Sequence, residues 1–67
     1  MYKFNWDDKL KVIKINNKEK AEHLEEYIGQ TGEIINRISI TKEDRRYKLR
    51  FDDDNTFYFK EDELEKI

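Results

Sequence analysis

The sequence predicts an all-β fold: a small five-stranded barrel with a short helix in its first long loop and a one-turn helix before its last strand. Three observations carry this. Arg46 to Phe51 alternates without a break, Tyr47, Leu49 and Phe51 on one face and Arg46, Lys48 and Arg50 on the other, which is the period of a half-buried strand. Asp52 to Asn55 supplies turn residues, and Thr56 to Lys60 then alternates again, with Phe57 and Phe59 inward and Tyr58 outward. Upstream, Glu33 to Ile40 is rich in isoleucine and follows a glycine-framed turn, Gly29-Gln30-Thr31-Gly32. Together these make a three-strand antiparallel meander.

The other elements follow in order. Residues 1–8 form an N-terminal arm in which Tyr2, Phe4 and Trp6 recur with period two, before Asp7-Asp8 bends the chain. Two readings of the rings stand open. They cover one end of the barrel, or Trp6 or Tyr2 forms part of a partner-binding surface, as exposed aromatics do at interfaces. Lys9 to Ile15 is a strand whose alternation breaks at Val12-Ile13, which predicts a bulge or burial on both faces. Lys18 to Tyr27 carries good helix formers, with Ala21, Leu24 and Ile28 on one face, Asn17 as N-cap and Gly29 just past the end. In Glu33 to Ile40, residues Ile34, Asn36, Ile38 and Ile40 are expected on one face and Ile35, Arg37 and Ser39 on the other. The mixed pattern predicts a strongly bent strand. Thr41 to Arg45 is a hairpin loop. Glu61 to Leu64 forms a single helical turn that seats Leu64 in the core, and Glu65 to Ile67 is a last strand anchored by Ile67.

Length and composition bound the rest. The chain has 67 residues, enough for a single domain over 1–67 with a small core. With 13% aromatic residues and eight isoleucines it is built to fold rather than to stay disordered. It has no cysteine, hence no disulfide framework and no thiolate zinc site. No run approaches the about 20 apolar residues of a membrane span. These features place the expectation in the cytoplasm, with no membrane partner. Charged residues make up 45% of the chain, yet the net charge is −2, a mixed surface rather than the single-sign field of a general nucleic-acid binder.

No catalytic constellation emerges. His23 is the lone histidine, set among Glu22, Glu25 and Glu26 with no nucleophile beside it, so the expectation is a protein that is not an enzyme. Asp52-Asp53-Asp54-Asn55 lacks the alternating ligands, central glycine and distal glutamate of a calcium loop, so no metal or other cofactor is expected. Glu61, Asp62, Glu63 and Glu65 read as a solvated acidic rim. The candidate binding residues are basic and aromatic: Arg37, Arg45, Arg46, Lys48, Arg50, Tyr58 and Trp6. All four arginines lie between 37 and 50. Guanidinium forks suit phosphate and carboxylate equally. Three uses stay open: a cross-strand ion network with the acidic turns, a nucleic-acid surface, or a surface for an acidic protein.

The order strand, long loop, meander, helical turn, short strand resembles an SH3-like barrel. Y-I-G-Q-T-G-E-I-I-N-R-I resembles the glycine-framed opening of KOW-type and related SH3-like proteins. Y-K-L-R-F-D-D-D-N-T-F-Y-F-K-E-D-E-L-E-K-I resembles their closing pattern. Residues 9–67 as a whole are similar to small SH3-like proteins of the YorP-like type encoded by Firmicute phages and prophages. That resemblance implies a phage-encoded inhibitor or adaptor acting on a host or phage protein in the bacterial cytoplasm, a defence nuclease such as a CRISPR effector being one such target. The alternative it implies is a KOW-like nucleic-acid-binding domain using the arginine-rich hairpin.

Overall fold

A computed structural model describes residues 2–67. Five strands, β1 (Lys9–Val12), β2 (Thr31–Ser39), β3 (Arg45–Arg50), β4 (Thr56–Lys60) and β5 (Leu64–Lys66), form one antiparallel sheet in the order β4-β3-β2-β1-β5. Helix α1 (Lys18–Leu24) and a 3-10 turn (Glu25–Tyr27) fill the loop between β1 and β2, and a second 3-10 turn (Glu61–Glu63) precedes β5. This is the predicted five-stranded barrel. No helix among the described residues is long and apolar enough to cross a membrane.

The alternation of β3 and β4 sets the core. Tyr47, Leu49 and Phe59 are fully buried, and they pack with Leu10, Val12, Ile34, Phe51 and Leu64. Leu24 and Tyr27 close the barrel from the helical side. Tyr27 lies 4.6 Å from the ring of Phe51 and 5.1 Å from that of Phe57. The Tyr27 hydroxyl donates to Asp53 at 2.5 Å. That bond holds the Asp53 carboxyl below the usual range, helped by the Asn55 amide. The 52–55 turn is thus tied to the barrel, and Asp54 takes the left-handed conformation (φ 67°) that lets it close.

Several local expectations are corrected. β1 ends at Val12, and no bulge follows: Ile13 is exposed, and its amide donates to the Glu63 carbonyl at 2.9 Å. Asn17 caps α1 as expected, accepting from the Lys20 amide at 3.0 Å. The helix then tightens after Leu24. Three residues per turn put Tyr27, not Ile28, over Leu24, and Ile28 swings out to solvent. Gly29, one residue beyond, has φ +92°. Leu64, not Ile67, anchors β5, since Ile67 is 69% exposed.

β2 carries the correction that matters most for function. It starts at Thr31 and contains a bulge: Ile34 opposes Leu49, Asn36 opposes Lys48, and Ile35 is the extra residue between them. One inserted residue inverts the faces beyond it. Arg37, expected outside, comes to oppose Tyr47 on the inner face. Ile38, expected in the core, opposes Arg46 and is only half-buried. Ile40 lies beyond the strand and is exposed.

Gly32 is buried within β2, where a Cβ would sit 3.0 Å from the Arg50 carbonyl oxygen and 3.1 Å from the Leu49 Cβ. Close approach, not a positive φ, is what requires glycine here. Gly32→Val is expected to destabilise by about 1–3 kcal/mol, the usual cost of overpacking. The shift of the denaturation midpoint measures it, and an unchanged midpoint contradicts this close approach.

Candidate functional site

The candidate binding residues do not form one face. β3 directs Arg46, Lys48 and Arg50 outward, beside Tyr58 of β4, which opposes Lys48. Arg45 opposes Ser39, two positions along from the Arg37–Tyr47 pair. It therefore falls on the inner side, at the end of the sheet that the N-terminal arm covers. The group divides into an outer set (Arg46, Lys48, Arg50, Tyr58) and an arm-side set (Trp6, Arg37, Arg45).

The outer set is mostly spent on the fold. Arg46 makes a bidentate pair with Asp44, at 3.1 and 3.2 Å, which holds the Asp44 carboxyl below its usual range. Arg50 pairs with Glu33, its direct cross-strand neighbour. Of the two, only Arg50–Glu33 is a cross-strand pair, and neither uses the acidic turns at 52–55 and 61–65. Lys48 lies over the Tyr58 ring at 5.6 Å, and the Tyr58 hydroxyl accepts from Asn36 at 2.9 Å.

The arm-side set is organised differently. The arm is not a strand, but its rings still converge on the barrel. Phe4 is buried and meets Tyr47 edge-on at 5.2 Å, and Tyr2 does the same at 6.0 Å. The Tyr47 hydroxyl accepts the Lys3 and Phe4 amides at 3.1 and 3.3 Å and donates to Glu61. Burial, with the Glu61 carboxylate next, pushes the Tyr47 phenol up to about 12. Glu61 is thus a structural partner rather than part of a solvated rim. The arm ends in a tight turn, where the Asn5 amide donates to Asp8 at 2.9 Å and the Asp8 amide returns to the Asn5 carbonyl at 3.0 Å.

Arg37 lies beneath this arm. Its guanidinium stacks under the Tyr2 ring at 4.5 Å and the Trp6 ring at 4.7 Å, and it donates to the Phe4 carbonyl at 3.1 Å. Its Nε is sealed from solvent without a partner. Trp6 remains 50% exposed. The first reading of the arm holds for Phe4, which covers the barrel end, while Trp6 stays at the surface on a cationic support. The bulge at Ile35 creates this site. No sequence pattern near Arg37 announces it, because its partners lie more than thirty positions upstream. His23 is exposed on α1.

No family model matches the sequence, and no curated protein matches it. Among solved structures, the chain is similar to the cyanobacterial cytochrome b6f complex subunit PetP, with a TM-score of 0.80 and 25% identity over 96% of this chain and 80% of that one. This likeness overturns the expected function. The protein that shares the fold is a subunit of a cyanobacterial complex, not a phage inhibitor.

Proposed function

We propose that this barrel is a non-enzymatic subunit that docks on a larger protein assembly through the arm-side face. Trp6 carries the reading. A half-exposed tryptophan held by stacking on a guanidinium is pre-ordered, so little side-chain entropy is lost when a partner covers it. Tryptophan, tyrosine and arginine dominate interface hot spots, and here all three converge. The fold shared with a subunit of a multiprotein complex supports the same reading.

Native electrophoresis of lysate from cells that express the chain tests it. The 8.3 kDa protein is expected to migrate with an assembly many times its own mass. Trp6→Ala should weaken that association by about thirtyfold, the effect of a hot-spot residue worth about 2 kcal/mol. Migration of the wild type as a free monomer would sink the proposal.

A further inference from the structure

We infer that the arm-side face receives an acidic segment of the partner protein, with Arg37 and Arg45 taking its carboxylates between the walls formed by Trp6 and Tyr2. This inference rests on the docking reading above. The observation behind it is the uneven pairing of the four arginines. Arg46 and Arg50 each have a carboxylate within 4.0 Å, on Asp44 and Glu33; of the lysines, Lys14 and Lys66 are paired as well, with Asp62 and Asp8. Arg37 and Arg45 have none among the described residues. Carboxylates are not scarce, since the chain carries 16 Asp and Glu against 14 Lys and Arg.

The geometry fits a carboxylate. Two rings lie within 4.7 Å of the Arg37 guanidinium, and its one hydrogen bond to protein among the described residues goes to the Phe4 carbonyl. With one hydrogen bond used, the guanidinium keeps further donors for a carboxylate fork. Its buried Nε has no partner among the described residues. Arg45 stands 6.0 Å from the same Tyr2 ring, so Tyr2 is flanked by both cations. Lys3, exposed on the arm, adds a third charge nearby.

The surroundings favour a short acidic segment of protein over a nucleic-acid strand. Glu43, Asp44, Glu61 and Asp62 line the adjoining groove with Lys3, Arg45 and Lys60. These carboxylates share the groove with Arg45 itself. A long polyanion would have to cross them. One or two carboxylates seated between the rings would not.

Trp6 is the sole tryptophan, so its fluorescence reports the site directly. A glutamate-rich peptide, its glutamine-rich counterpart and an oligothymidylate are titrated into wild type, Arg45→Gln, Arg37→Gln and Arg37→Lys. The glutamate peptide is expected to change the Trp6 signal saturably, with affinity falling as salt rises, while the glutamine peptide stays silent. Arg45→Gln should weaken binding by about tenfold. Arg37→Lys, which keeps the charge but loses the fork, should weaken it as Arg37→Gln does. Equal response to both peptides, tighter binding of oligothymidylate, or an unaffected Arg45→Gln would each overturn the inference. Because Arg37 also holds the arm, Arg45→Gln keeps the test decisive if the Arg37 variants fold poorly. Failure here is separable from failure of the docking reading. If Arg45→Gln still migrates with the assembly and Trp6→Ala does not, the docking stands and the acidic segment falls.

Discussion

Phe59→Ala is expected to leave most of the protein unfolded in water at room temperature. Phe59 is fully buried, opposes Tyr47 across the β3–β4 pair, and meets Phe51 edge-on at 5.9 Å. Phe51 in turn touches Tyr27 and Phe57, so the ring joins the meander to the helical closure. Lys20 of α1 lies 4.5 Å over its face and donates to the carbonyl of Tyr58 on the outer edge of β4. Truncating a buried phenylalanine costs about 3–5 kcal/mol. A core this small supplies about the same amount in total. Collapse of the near-ultraviolet dichroism and loss of a cooperative denaturation transition would be the signature. Phe57→Ala, at a half-buried position, should retain a transition at a lower midpoint. If Phe59→Ala melted like the wild type, the core would have to be centred elsewhere.

The contrast between β3 and β2 shows what the sequence can and cannot specify. From Arg46 to Arg50 every residue of β3 opposes one partner on each side, so period two in the sequence is period two in space, and Tyr47 and Leu49 were legible as core. In β2 the pair Ile34-Ile35 announces a bend but does not say which residue is the extra one. Choosing Ile35 inverts everything after it, which is why Arg37 and Ile38 exchange faces. The 3-10 turn after Leu24 acts in the same way: a change from 3.6 to 3 residues per turn moves burial from Ile28 to Tyr27. The candidate site was legible as a set of residue types and not as a place. Arg46 and Arg50 find carboxylates two residues away and directly across a strand pair, relations that follow from register. Arg37 finds its partners on an arm that docks from the far end of the chain, and no local periodicity encodes that contact.

Glu63→Ala is the second large effect expected, at a residue that the sequence placed on a solvated rim. Glu63 is 2% exposed. One carboxylate oxygen accepts the Lys60 amide at 2.7 Å, and the other accepts the Asn16 amide at 2.7 Å. The side chain therefore clamps the start of the last 3-10 turn to the loop between β1 and α1, two segments that share no strand pairing. Its charge also faces Lys20, whose ammonium is pushed below the ordinary range chiefly by burial and is held up in part by Glu63. Removing the carboxylate strands two backbone donors, each costing about 1–3 kcal/mol when left without a partner. The loss should come to about 3 kcal/mol or more. Glu63→Gln offers no escape, because its amide nitrogen would face one of the two N–H donors instead of accepting from it. Glu65→Ala, on the exposed side of β5, should stay within about 0.5 kcal/mol of the wild type. Denaturation midpoints rank the three variants, and native-state hydrogen exchange locates the effect. Protection should fall first at the amides of Asn16 and Lys60. If Glu63→Ala is as stable as Glu65→Ala, or those two amides exchange no faster, the clamp does not hold the barrel's end together.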